Sequence, residues 1–244
     1  KPTKLKNSFC VMKFDFSAVS TKGDVDKNFS WYCNSRIQAF LNSYGFGIEI
    51  DKERAAHSNL ADIFLLLKES HPDSKIYILI DEYDNFMNDL LVNDKREYDK
   101  LVSSTEAVYK EFFKLLKALT NENDSLLKKM FFTGVSPLAL FDVTSGSNIG
   151  KNITNEYHFN DMLGVSEDEF EEMIEYYGLQ SFYEPKRENI KKWYDNYKFN
   201  KSVNHTIYNT DMALYYIDKL ITTKDEPENL IDINVRTDYS KLKY

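Results

Sequence analysis

The sequence predicts an α/β fold: a parallel sheet built with crossover helices, followed by a small helical subdomain. Short apolar runs alternate with stretches of helical period through the first part of the chain, as a parallel sheet with crossover connections requires. One of these runs, Lys75-Ile-Tyr-Ile-Leu-Ile-Asp81-Glu82-Tyr-Asp84, holds five apolar residues without alternation and stops abruptly in acids. That pattern is expected of a strand covered on both faces of a parallel sheet. After residue 160 only helical spacing remains, so residues 1–160 are expected to form the sheet domain and 161–244 the helical subdomain.

The elements follow in order. Residues 9–17, Phe-Cys-Val-Met-Lys13-Phe-Asp15-Phe-Ser17, read as a strand that ends in a polar turn. Residues 26–44 place Phe29, Cys33, Ile37, Phe40, Leu41 and Tyr44 at helical spacing, and Gly45 is a C-terminal stop. Residues 58–70 repeat the pattern with Leu60, Ile63, Phe64 and Leu67, and the acidic strand 75–81 comes next. A long helix is predicted over 95–119, with Tyr98, Leu101, Val102, Val108, Phe112, Leu115 and Leu119 along one broad face. Lys129-Met-Phe-Phe-Thr133-Gly134-Val-Ser136 reads as another short strand, ending in hydroxyl residues and a glycine.

In the C-terminal part, Ser166-Glu-Asp-Glu169 is a capping box that opens a helix through Phe170, Met173, Ile174 and Tyr177, closed by Gly178. A second helix holds Ile190, Trp193, Tyr194 and Tyr197, and a third starts at Thr210 or Asp211 and carries Leu214, Ile217 and Leu220. No internal repeat or low-complexity linker is visible.

Composition excludes several classes of function. Hydrophobic residues make up 42% of 244, enough for a real core and too many for a disordered chain. A formal net charge of −8 argues against nucleic-acid binding through bulk charge, although a local basic groove stays open. Two cysteines far apart, Cys10 and Cys33, with no Cys-x-x-Cys and four scattered histidines, argue against a structural zinc site. They read as reduced, buried thiols of a cytoplasmic protein. No apolar run approaches the ~18 residues of a membrane helix, and no secretory leader is visible. Both ends of the chain read as cut, which suggests a piece of a longer polypeptide.

The chemistry concentrates where the acidic strand ends. Ligands bind at the carboxyl edge of an open parallel sheet. There Asp81 can support a hydrated Mg²⁺ while Glu82 orients or deprotonates a water, the Walker B pattern of phosphoryl transfer in P-loop nucleotide hydrolases. The competing reading is an acidic helix start, since carboxylates favour helix N-termini. Thr133 sits at the end of the next strand, where its hydroxyl could contact a γ-phosphate or the attacking water, the role called sensor 1; the alternative is a hydroxyl bonded only within its own turn. The chain has no Gly-x-x-x-x-Gly-Lys-Ser/Thr loop. Its nearest approach, Ser145-Gly-Ser-Asn-Ile-Gly150-Lys151-Asn152, lacks the first glycine and the final hydroxyl and reads as a surface loop. Trp193 to Phe199 reads as an aromatic helix end packed on the core, with a stacking surface as the alternative. His158 and His205 are isolated, and no Gly-x-Ser-x-Gly elbow or Ser/His/Asp arrangement is present.

Taken in order, Lys13-Phe-Asp15-Phe-Ser17, Ile78-Leu-Ile-Asp81-Glu82-Tyr-Asp84, Phe132-Thr-Gly134-Val-Ser136, Trp193-Tyr-Asp195-Asn-Tyr197, Ile207-Tyr-Asn209 and Asn234-Val-Arg236-Thr-Asp238-Tyr resemble the AAA-ATPase-like family over nearly the whole chain. The resemblance implies a P-loop NTPase-like core with a lid-like or winged-helix-like C-terminal subdomain. It implies ATP and Mg²⁺ as ligands, Asp81 supporting the metal, Glu82 activating water, the Thr133–Ser136 segment as sensor strand and Arg236 as a candidate phosphate-sensing arginine. Family members usually carry an Arg-Phe-Gly-Lys-Thr phosphate loop before the strand matching residues 9–16, which here would precede Lys1, and often a restriction-endonuclease-like nuclease domain that would follow Tyr244. The family's Tyr-Asp-Gly-Tyr pattern departs at Asn196. These residues imply an ATPase core that is inactive as this fragment. The alternative is a non-catalytic interaction scaffold or regulatory module. A nuclease reading of this span has no convincing Asp plus Glu-x-Lys pair on adjacent strands to support it.

Overall fold

The computed structural model describes residues 3–104, 106–135 and 150–231. The chain divides into two compact units, Lys1–Gly150 and Lys151–Tyr244. In the first unit β1 (Cys10–Asp15), β2 (Ile76–Asp81) and β3 (Leu127–Phe132) form a parallel sheet with β2 in the middle. The connection from β1 to β2 carries a short 3₁₀ turn (Phe16–Ala18), α1 (Val25–Ser43) and α2 (Ala56–Ser70). The connection from β2 to β3 carries α3 (Asn85–Asn93), α4 (Lys95–Ser103) and α5 (Val108–Asn121). This mixed α/β architecture is compatible with a P-loop-like core.

Register decides which side chains share a face. Met12, Ile78 and Met130 lie in one row, and Phe14, Ile80 and Phe132 in the next; both rows belong to the face that packs into the core with α1, α2 and α5. The opposite face carries Val11, Tyr77 and Lys129, then Lys13, Leu79 and Phe131, then Asp15 beside Asp81. The expected burial of β2 on both faces is corrected here. Ile76, Ile78 and Ile80 are buried, but Tyr77 and Leu79 are half-buried and neighbouring Val11 and Lys13 are exposed. Among the described residues the helices cover the isoleucine face, and an unbroken apolar run cannot reveal such a difference.

The outer edge of β1 is sealed by side chains of α1 and of Tyr44, the residue that caps the C-terminus of that helix. The Val11 N–H donates to the Tyr44 hydroxyl (2.8 Å), the Asp15 N–H to the Tyr32 hydroxyl (2.7 Å), and Arg36 Nε to the Lys13 carbonyl (3.2 Å). These bonds satisfy backbone groups that an edge strand leaves open and hold Lys13 and Asp15 at a fixed level beside β2. Where β1 ends, Phe16 inserts into a cage of rings. It makes edge-to-face contacts with Phe29 (5.1 Å between centroids), Tyr109 (6.2 Å) and Phe112 (6.3 Å), and it is fully buried.

The single helix expected over 95–119 is two helices. α4 ends at Ser103, Ser104 is extended, and α5 begins at Val108, whose N–H donates to Asp26 Oδ1 of α1 (3.0 Å). The hydroxyls of Ser103 and Ser104 compete for backbone bonds: Ser103 donates to the Asp99 carbonyl (2.7 Å) and Ser104 takes the Glu106 N–H. The apolar periodicity runs through the break because both helices pack their apolar side chains against the same core.

In the second unit the capping box at Ser166 and Glu169 forms with both reciprocal bonds and opens α6 (Glu167–Tyr176), and Gly178 closes it with a positive φ of +66°. Then come α7 (Gln180–Tyr183), α8 (Arg187–Tyr194), β4 (Asp195–Tyr197), β5 (Ile207–Tyr208) and α9 (Thr210–Thr223), which Asn209 caps at Met212 N–H. Tyr197, expected on the helix of Ile190, lies instead in β4, which pairs antiparallel with β5 and contains Asn196. The core stacks Phe170 flat on Tyr208 at 4.6 Å, with Tyr183, Tyr194 and Tyr216 buried around them. Cys10 is half-buried and Cys33 buried, and both are free thiols.

Phe16→Ala should remove the centre of the first unit's aromatic cage and cost about 3–5 kcal/mol of stability. Urea denaturation followed by tryptophan fluorescence should show the lowered midpoint.

Candidate functional site

At the carboxyl end of the sheet the expected pair meets. Thr133 directly follows β3, its N–H donates to the Ile80 carbonyl (2.9 Å), and its hydroxyl donates to Asp81 Oδ1 in a short hydrogen bond. The other carboxylate oxygen of Asp81 lies 3.9 Å from Lys13 Nζ, with both side chains about half exposed. An ion pair so open to water contributes roughly 0–1 kcal/mol, so it biases the carboxylate more than it holds the fold. Asp15 faces Asp81 across the strand pair, and one of its oxygens accepts from both the N–H (3.1 Å) and hydroxyl (2.6 Å) of Ser17. Asp81 thus stands on the central strand, beside Thr133 and open to solvent.

Glu82 turns the chain out of the sheet. Its φ is +51°, a left-handed backbone that residues other than glycine rarely adopt. Such strain costs on the order of 1 kcal/mol and accumulates at functional sites. Glu82 Oε2 accepts a weak bond from Asn85 Nδ2 (3.3 Å), and the Glu82 carbonyl receives the Asn85 N–H (3.0 Å). The next two residues anchor the turn. The Tyr83 N–H donates to the Thr133 carbonyl (3.0 Å), and its own carbonyl accepts the buried Tyr109 hydroxyl (2.8 Å). Burial, and secondarily the Asp84 charge, pushes the Tyr83 phenol up to about 12 and the Tyr109 phenol well above its ordinary value, so the Tyr109 hydroxyl stays a protonated donor. Asp84 is fully buried and accepts from Asn88 Nδ2 (2.8 Å) and from the Val135 N–H (3.1 and 3.2 Å).

Sequence reasoning named Asp81, Glu82 and Thr133; the structure places the first and last in contact and Glu82 beside them. It assigned no role to Lys13, Asp15 or Asp84, although all three stand in the quoted motifs. The one available signal was the parallel register, which brings Lys13 and Asp15 to the level of Asp81 once the strands are aligned. Arg236 and Ser136 lie outside the described residues, as does most of the near-miss loop, of which residues 150–152 are exposed. Among the described residues no group of three or more His, Cys, Asp or Glu side chains is arranged to hold a metal ion. An open depression of about 360 Å³ lies between α2 and α5, lined by Arg54, His57, Asp62, Lys114 and neighbours, and includes none of the strand-edge acids.

A family model described as "Predicted AAA-ATPase" matches residues 1–144, more than half of the chain. The chain belongs to the AAA-ATPase-like family. No curated protein and no solved structure matches it. The matched span of this AAA-ATPase-like protein covers all three strands of the parallel sheet and the Asp81–Thr133 contact. No described helix is long and apolar enough to cross a membrane.

Gly134 is the tightest point of the site. A Cβ there would lie 2.5 Å from Asp84 Oδ1 and 2.6 Å from the Tyr83 ring, both buried. Gly134→Ala should therefore destabilise the first unit by about 1–3 kcal/mol, the range for forcing a methyl into packed surroundings. Thermal denaturation of the two proteins side by side would measure it.

Proposed function

We propose that this chain is the core of a Mg²⁺-dependent ATP hydrolase whose phosphate-binding loop lies outside these 244 residues. The observation that carries the proposal is the Thr133 hydroxyl seated on Asp81 at the carboxyl edge of a parallel sheet, next to a glutamate in a left-handed turn. Family membership points to a nucleotide as ligand.

The residues suit the task. Mg²⁺ keeps several waters and binds through one or two carboxylates plus substrate phosphates, so a half-exposed Asp81 with one oxygen uncommitted to Thr133 fits it without a three-ligand cluster. When bound, the ion would neutralise charge on the phosphate oxygens. Asp81 would hold a metal-bound water, and the Thr133 hydroxyl would fix the orientation of that carboxylate. The Glu82 carboxylate would orient the attacking water and take its proton at an Oε atom. Lys13, whose Nζ lies 3.9 Å from Asp81, would offset the charge of the Asp15–Asp81 pair. Arg236 is proposed to sense phosphate, residues 161–244 to form a lid-like helical subdomain, and the intact protein to be cytoplasmic and followed by a nuclease domain.

A second reading is a non-catalytic scaffold. It draws on the missing phosphate loop and on the exposed Tyr157, Phe159, Met162 and Leu163 of the second unit. Calorimetry of the present chain with ATP and Mg²⁺ should detect no binding tighter than millimolar, because each lost charge-assisted phosphate contact costs about 1.5–3 kcal/mol; micromolar affinity would contradict this. In a chain extended upstream of Lys1, Glu82→Gln should lower turnover by about 10²–10⁴-fold while ATP binding is retained. An extended chain that never hydrolyses ATP would favour the scaffold.

A further inference from the structure

We infer that Asp84 is a positioning residue: its buried carboxylate fastens the segment after β3 to the β2–α3 turn and thereby holds the Thr133 hydroxyl on Asp81. The role deepens the nucleotide-site reading of Asp81 and Thr133 and rests on it, but the latch itself exists without nucleotide.

Four observations converge. Asp84 occupies the N-cap position of α3 yet makes no side-chain cap bond, whereas Asp24, Asp94, Ser166 and Asn209 all cap the helices that follow them. Its carboxylate is directed across to the neighbouring strand end, where both oxygens accept from the Val135 N–H (3.1 and 3.2 Å). Asp84 is fully buried while Val135 is 64% exposed, so a wholly desolvated charge supports a segment that otherwise lies open to water. A buried carboxylate is costly unless hydrogen-bonded, and here Val135 and Asn88 are among its donors. Finally, the space beside Gly134 is taken by Asp84 Oδ1 and the Tyr83 ring, which leaves the segment no room to shift toward the turn.

Three successive anchors result: the Thr133 N–H on Ile80, the Thr133 carbonyl on the Tyr83 N–H, and the Val135 N–H on Asp84. The first two are backbone bonds that any sequence could make. The third depends on a side chain and is the only one of the three placed beyond Thr133, so it limits rotation of the backbone that aims the hydroxyl. A helix-capping aspartate would leave Thr133 free to turn away; this one does not.

Amide hydrogen exchange and ¹H–¹⁵N spectra of the present chain test the inference. Asp84→Ala should raise exchange at Thr133 and Val135 by about tenfold to a hundredfold, the factor expected on losing a hydrogen bond to a charged acceptor, and should shift the Thr133 resonances. Ile78 and Ile80 should keep their protection, which separates positioning from general loss of structure. Asp84→Asn, which retains one acceptor oxygen, should restore part of the protection. Val135→Pro removes the donor with Asp84 intact and should reproduce the alanine result at Thr133; it decides the matter if Asp84→Ala does not fold. Thr133 signals unchanged in the variants that fold would overturn the inference. A chain extended upstream of Lys1 whose Asp81 and Thr133 never respond to Mg²⁺ and ATP would count against the nucleotide reading alone, because the exchange result is independent of it.

Discussion

The parallel hydrogen-bond ladder joining β1, β2 and β3 is the constraint from which the rest of the site follows. Asp15, Asp81 and Thr133 are separated by dozens of residues in the chain, yet the ladder brings Asp15 opposite Asp81 and extends past Phe132 so that the Thr133 N–H donates to the Ile80 carbonyl. Each side chain then has its face assigned by alternation alone. The row that ends in Asp81 also carries Lys13 one step back, which is why a cation approaches the acid there. A one-residue slip in either pairing would send Asp81 into the aromatic core and Ile80 into solvent, and the burial of Phe14, Ile78 and Ile80 prevents it.

Around that row the molecule uses unfavourable local features that only their surroundings make tolerable. Glu82 adopts a left-handed backbone, Asp84 is a carboxylate removed from water, and Gly134 leaves no space for a side chain. All three lie at the turn after β2 or the segment after β3. The Tyr109 hydroxyl on the Tyr83 carbonyl ties this turn to α5, and the ring cage around Phe16 ties α5 to the end of β1. The rigid hydrophobic part of the unit thus extends to the atoms that would face a ligand. This coupling suits chemistry that depends on position more than on reactivity, as phosphoryl transfer does.

Legibility in the sequence varied with the physical origin of each feature. Strands and helices whose apolar pattern was decisive, such as β2, α1, α2 and the capped α6, were readable because burial imposes period. The break between α4 and α5 was hidden, since periodicity survived it and only the local hydroxyl bonds and the Asp26 contact reveal it. β4 was hidden because Tyr194 and Tyr197 fit a helix as well as a helix followed by a strand, and pairing with β5 decided between them. The half-open face of the sheet was equally silent, because Tyr77 and Leu79 look the same whether a helix covers them or not.

The candidate site divides the same way. Residue type and order alone were enough to place Asp81 and Glu82 at a strand end, to pair them with a hydroxyl from the next strand, and to point to the AAA-ATPase-like family, since these depend on which chemical groups terminate which apolar runs. Tertiary structure alone decided that Thr133 donates to Asp81, that Lys13 stands nearby, and that the Asp84 carboxylate accepts the Val135 N–H beyond the neighbouring strand. Those outcomes depend on strand register and on which hydrogen-bond partner remains within reach once the core has closed, and neither quantity is written in local sequence.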